Sequence, residues 1–119
     1  MEANELMIGD WVNFGSFIRQ VIQSDYYQDV NGDCVLDGVK PIPLTAEILK
    51  KNGFVPDNFS PYYLPIKDGS VRFSKHQYGL YCNILRPYQR YDGVCNYVHN
   101  LQHALRLCGL NDLADNFKV

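Results

Sequence analysis

An α+β fold is the prediction for this chain, and three patterns make it. Short runs rich in β-branched and aromatic residues, punctuated by Asn31-Gly32 and Asp68-Gly69, fill the stretches 6–40 and 62–86. A proline-spaced linker and one capped helix lie between them. Near the C-terminus, Val94 to Cys108 repeats apolar residues at the helical period. A single domain over 1–119 is expected, with a small β unit at 6–40, a linker helix at 45–53, and strands plus C-terminal helices at 62–119.

In the N-terminal unit, Leu6-Met7-Ile8 and Trp11-Val12-Asn13-Phe14 read as a strand bent at Gly9-Asp10, and Gly15-Ser16 as a turn. Phe17 to Gln23 reads as a second strand. Tyr26–Val30 and Cys34–Leu36 read as two more, joined by Asn31-Gly32, which supplies the positive φ angles of a tight hairpin. Short antiparallel strands this closely spaced predict a small antiparallel sheet or partly open barrel of the Src-homology-3-like kind. The polar run Met1 to Glu5 is expected to fray.

Lys40-Pro41-Ile42-Pro43-Leu44 is extended, because neither proline can continue a ladder or a helix. Thr45 caps a short helix over Ala46 to Asn52, ended by Gly53. Tyr62 to Lys67, Val71 to Ser74 and Leu80 to Arg86 are strands of a second antiparallel sheet, and Pro87 to Asp92 turns into the long helix. In that helix Val94, Tyr97, Val98, Leu101, Ala104, Leu105 and Cys108 share one face, while Asn96, His99, His103 and Arg106 collect opposite and read as solvated. Asp92 is placed at its start and Gly109 at its end; Asn111 caps a last short helix. The residues leave open whether the two sheets are continuous.

Of the 119 residues, 46% are hydrophobic and 20% charged, a composition that excludes a disordered or fibrous protein. No run of eighteen apolar residues exists and no basic segment precedes an apolar one at the N-terminus, so a cytoplasmic protein without a membrane segment is expected. Cys34, Cys82, Cys95 and Cys108 form no Cys-x-x-Cys pair, which argues against a zinc knuckle or a thioredoxin-type site; reduced thiols are expected. The net charge of -2 is unevenly spread. Nine acids face four bases up to Ile66, whereas two acids (Asp68, Asp92) face six bases from Lys67 to Arg106.

The run Tyr97-Val98-His99-Asn100-Leu101-Gln102-His103-Ala104-Leu105-Arg106-Leu107-Cys108-Gly109-Leu110 resembles the C-terminal signature of a family of small uncharacterised proteins from gut Bacteroidales and their prophages or mobile elements. Leu6-Met7-Ile8-Gly9-Asp10-Trp11-Val12 and Pro41-Ile42-Pro43-Leu44-Thr45, followed by Glu47-Ile48-Leu49 and Asn52-Gly53-Phe54, are similar to further segments of the same family. The stretch between Val55 and Gly93 matches only loosely. The resemblance implies a bacterial cytoplasmic or phage-encoded protein and no particular activity.

Four constellations carry chemistry on paper. His99-x-x-x-His103 has the spacing of a zinc peptidase pair, making His99 and His103 candidate metal ligands, but Asn100 stands where the general-base glutamate belongs. Asp29, Asn31, Asp33 and Asp37 imitate a calcium loop; Cys34, Lys40 and Pro41 break it, and an acidic hairpin is the better reading. A cysteine nucleophile finds no support in the spacing, and Cys82 and Cys108 read as core.

The fourth constellation is the basic, tyrosine-rich run. Lys67, Arg72, Lys75, Arg86 and Arg90, with Tyr88 and Tyr91, are candidate nucleic-acid contacts, joined by Arg106, Tyr78 and Tyr81. A helix-turn-helix over Leu101 to Phe117 is disfavoured by Asp112 and Asp115. Trp11, Tyr62 and Tyr63 are candidate interface anchors, with core the commoner fate. The ranking is a non-enzymatic protein-interaction or regulatory module without cofactor, binding another protein; then nucleic-acid binding through 67–90; then a metal-dependent hydrolase.

Overall fold

The computed structural model describes residues 3–119. Met1 and Glu2, the start of the expected frayed end, lie outside them, and Ala3–Glu5 forms a turn of 3-10 helix. Strand β1 (Trp11–Asn13) pairs antiparallel with β2 (Ile18–Gln20) in a two-stranded sheet. Val21 extends the pairing by donating to the Asp10 carbonyl at 2.8 Å. Leu6–Ile8 does not join this sheet.

The second expected hairpin is only a turn. Gly32 takes its positive φ (82°), yet pairing stops at one bridge between Gln28 and Cys34. Side chains have captured the backbone instead: Asp29 Oδ1 accepts the amides of Asn31 and Asp33 at 2.8 and 3.0 Å, and Asp37 accepts that of Cys34 at 3.1 Å. Turns of 3-10 helix at Gln23–Tyr26 and Val35–Gly38 flank the loop. The N-terminal unit is thus a two-stranded sheet with 3-10 turns around Leu6, Val12, Val21, Leu36 and Val39, and no closed barrel forms among the described residues.

Helix α1 (Ala46–Lys51) is capped as expected, Thr45 Oγ1 accepting the Ile48 amide at 3.3 Å. Strands β3 (Tyr62–Ile66), β4 (Gly69–His76), β5 (Gly79–Leu85) and β6 (Arg90–Val94) follow as an antiparallel meander in sequence order, separate from the first sheet. The fourth strand occupies residues expected to be turn and first helical turn. Its ladder to β5 satisfies backbone groups that a helix start would leave orphaned, and it turns Tyr91 toward the core. Asp92, expected to cap the helix, lies on the sheet beside Asn83.

Helix α2 (Val98–Leu107) therefore begins four residues later than the apolar period suggests, with Asn100 Oδ1 accepting the Tyr97 amide at 3.2 Å. Its end is as expected. Gly109 adopts φ 74°, its amide bonds to the Arg106 carbonyl at 3.0 Å, and that of Leu110 reaches the Leu105 carbonyl at 2.8 Å. Helix α3 (Asn111–Asp115) starts from Leu110, so Asn111 is its first residue and not its cap. It spans five residues, with Ala114 and the following Phe117 buried in the larger core.

Helix α2 is sandwiched. On one side Val98, Leu101, Ala104, Leu105 and Cys108 pack with Val71, Phe73, Cys82 and Ile84 of the four-stranded sheet and with Ile48 and Leu49 of α1. The N-terminal unit closes the other side. The molecule is accordingly elongated, 54 Å by 28 Å by 23 Å.

Candidate functional site

The junction between α2 and the N-terminal unit is built around one carboxylate in an apolar segment. Asp10 is fully buried. Its Oδ1 accepts from Arg106 Nη1 at 2.6 Å; its Oδ2 accepts the Met7 amide at 2.8 Å and lies 2.5 Å from His103 Nε2. Arg106 also reaches Asp115 at 3.3 Å. A buried carboxylate without partners would cost several kcal/mol, so this constellation is obligatory once Asp10 is enclosed. Gly9 makes room for it: its φ is 94°, and a Cβ there would stand 2.9 Å from Arg106 Nη2.

Gln102, also fully buried, ties the same elements together. Its Oε1 accepts the Trp11 amide at 2.8 Å, and its Nε2 donates to the Gly9 carbonyl at 2.8 Å and the Ala114 carbonyl at 3.0 Å. Gln20 Nε2 donates to Gly9 and Asp115 carbonyls at 2.9 and 2.8 Å. Asp10 and Gln102 were not singled out as site residues from the sequence, and Arg106 was read as a nucleic-acid contact rather than as the partner of Asp10. A signal was there: Asp10 is the one charged residue between Leu6 and Phe14.

His99 and His103 overturn the expected solvated face. His99 is 6% exposed, its ring stacked near Tyr97 and edge-on to His103. Burial holds its imidazole below the ordinary range, with neighbouring His103 adding to the effect and Asp10 and Glu5 opposing it. His99 Nδ1 is buried with no hydrogen-bond partner. His103 Nε2 is engaged with Asp10, and His99 Nε2 lies 3.4 Å from Asn100 Nδ2. Among the described residues no three His, Cys, Asp or Glu side chains gather as a metal site needs. Cys95 lies in the core beside Cys82, its Sγ 3.9 Å from the Tyr91 hydroxyl. The Cys95 contact and burial push the Cys82 thiol up, and burial lifts the Tyr91 phenol to about 12.

The candidate nucleic-acid residues do not all share a surface: the register sets Arg72, Tyr81 and Arg90 on one face of the sheet, and Lys75 and Tyr91 on the other. Arg72 lies on the outer face of the sheet, paired with Asp57. Lys75 alternates to the opposite face of β4, and Tyr91 packs against the core. Arg86 donates to the Cys108 carbonyl at 2.7 Å and to Gln89 Oε1 at 3.3 Å. Lys67 sits beside the β3–β4 turn, Tyr88 in the β5–β6 turn, and Arg90 at the start of β6. Of the candidate anchors, Tyr62 packs on the core, Trp11 packs there too and donates Nε1–H to the Phe117 carbonyl at 2.6 Å, and Tyr63 lies under Arg72.

Exposed apolar side chains collect elsewhere. Tyr27 and Val30, on the loop between the two 3-10 turns, are 69% and 101% exposed, and Val35, which opens the second turn, is 55% exposed; Asp29, Asp33 and Asp37 are exposed as well. Phe17, Ile18 and Ile22 are exposed on the same unit. Compared with known proteins, the chain has no significant match to a family model, to a curated protein or to a solved structure. Among the described residues no helix is long and apolar enough to cross a membrane.

Proposed function

We propose that the chain is a non-enzymatic protein-interaction module, acting in the cytoplasm of a bacterium or for a phage or mobile element that it carries, and that the N-terminal unit is its docking part. The observation that carries this reading is the loop Tyr27–Val35, where three large apolar side chains stand in solvent beside the carboxylates of Asp29 and Asp33, with Asp37 exposed just beyond. Exposed apolar groups on a polar rim are what an interface needs, and the acids select a partner that is apolar and basic. Asp10, His103 and Arg106 at the α2 junction are meanwhile engaged with one another: both oxygens of Asp10 hold partners. The Src-homology-3-like character expected of the N-terminal unit and the resemblance to mobile-element proteins support the same reading.

The test is retention of proteins from a bacterial extract by the immobilised chain, compared with the triple variant Tyr27→Ser, Val30→Asp, Val35→Asp. These positions are exposed, so an unchanged circular-dichroism melt is expected to accompany the variant. A protein retained by the parent in a salt-sensitive way and lost by the variant supports the reading. Equal retention by both, or none by either, removes it.

A further inference from the structure

A second surface lies at the other end of the molecule, on the face of the four-stranded sheet turned away from the helices. Alternation along the strands sends Val71, Phe73, Cys82 and Ile84 into the core and their neighbours outward. The register places Tyr63, Arg72, Asn83 and Asp92 directly opposite one another, one on each strand. In the adjoining row Ser74 faces Tyr81. The middle of the face is therefore a line of phenol, guanidinium, carboxamide and carboxylate.

Arg72 is the one cation of this line and is already paired; Asp92 is met by a neutral carboxamide, and Arg90 stands exposed on the same face in the next row. Arg72 pairs with Asp57, whose Oδ1 in turn accepts the Phe59 and Ser60 amides at 2.9 and 2.7 Å, and Asn83 donates to Asp92. Aromatic rings stand on both flanks. The Arg72 guanidinium lies 4.3 Å from the Tyr63 ring centre and 5.8 Å from that of Phe59, which is 87% exposed; His76 packs on Tyr81 with centres 4.9 Å apart. Between them is a shallow depression of about 250 Å³ lined by Phe59, Arg72, Ser74, His76, Tyr81 and Asn83.

We propose that this face binds a neutral oligosaccharide. A hydroxyl both donates and accepts, so a sugar can bridge the guanidinium, amide and carboxylates of the central row without bringing a charge that the row does not need. The apolar faces of sugar rings pack on exposed aromatic side chains, as Phe59 and Tyr81 offer them. A nucleic-acid strand fits less well, because its phosphates would approach Asp57 and Asp92 as well as the two arginines. Two guanidiniums and two carboxylates on one face are what favour the uncharged ligand.

The test is a two-dimensional amide NMR titration of the whole chain with cellohexaose, xylohexaose, mannohexaose, maltohexaose and chitohexaose, and separately with an oligouridylate. At least one sugar is expected to shift amides of β3–β6 with a dissociation constant of about 1 mM, as a shallow, solvent-exposed site gives. Asn83→Ala and Tyr81→Ala, each checked for retained peak dispersion, should weaken that binding about fivefold or more, the loss of about one net hydrogen bond or one packing contact. Val30→Asp, on the N-terminal unit, should leave it unchanged. Absence of shifts with all five sugars, shifts confined to other elements, or binding of the oligouridylate alone overturns the proposal. Because the surface is separate from the Tyr27–Val35 loop, either reading can fail while the other stands.

Discussion

The two sides of α2 are both covered by neighbouring segments and are chemically opposite. Toward the sheet the helix presents Val98, Leu101, Ala104, Leu105 and Cys108, all nearly inaccessible. Toward the N-terminal unit it presents His99, Gln102, His103 and Arg106, of which Gln102 is as inaccessible as Leu101. The first side is held by area removed from water, which stabilises without regard to direction. The second is held by hydrogen bonds whose donors and acceptors match at one position only, so it orients the N-terminal unit at the cost of desolvating a carboxylate, a guanidinium and an amide. A polar helix face is thus no guarantee of solvent; it is an interior wherever a neighbouring segment supplies the complementary groups.

Substitutions on the two sides should fail differently, and the largest effect belongs to the dry one. Leu101→Asp places an unpaired charge in the main core and is expected to abolish folding, read as loss of the cooperative melt and of soluble expression. Asp10→Ala comes next. It leaves Arg106 and His103 facing a void, and breaking a buried pair by removing one partner costs about 3–5 kcal/mol. Chemical denaturation should show that loss, and a variant within about 1 kcal/mol of the parent would mean that the junction is hydrated and the contrast between the sides false.

Much of this was legible in the residues, and two of the exceptions share one cause. Thr45, Gly53 and Gly109 mark helix boundaries because a cap or a left-handed residue is a local requirement, satisfied by one residue type at one place. Likewise Asp68-Gly69 made its hairpin. The start of α2 was misplaced because Val94 and Cys95 continue the helical period by coincidence, while the competing ladder to β5 is a contact between distant residues that periodicity does not register. The same limit hid the site. His99, His103 and Arg106 look solvated on a helical wheel, and only the return of Gly9–Trp11 across more than ninety residues of sequence encloses them. Asp29 and Asp37, read as hairpin acids, took backbone amides and so prevented the strands they were expected to join.

Gln102 tests the polar side without touching a charge. Gln102→Ala leaves the Trp11 amide and the Ala114 carbonyl without the partners they have now, at about 1–3 kcal/mol for unsatisfied buried groups. The loss should be local as well as global. Hydrogen exchange of the Trp11 amide is expected to speed up more than that of Leu101, which sits on the dry side; equal acceleration at both would show that the two sides unfold as one unit and that Gln102 does not hold the N-terminal unit separately.

The smallest effect is a proton. Burial lowers the His99 pKa, with His103 acting in the same direction and Asp10 and Glu5 against it. The folded protein therefore binds this proton less readily than the unfolded chain, whose imidazole titrates near the ordinary value of about 6.5. Stability from this group is complete above that value and is lost as pH falls from there toward the lower folded pKa, with a slope of at most about 1.4 kcal/mol per pH unit for one proton. His99→Gln removes the titration, so the difference in unfolding free energy between parent and variant should shift in the variant's favour between about pH 7 and pH 5. A difference independent of pH over that range would place the His99 ring in water and return the outer face of α2 to the solvated reading. The readout follows the histidine whose Nδ1 the fold leaves without a partner.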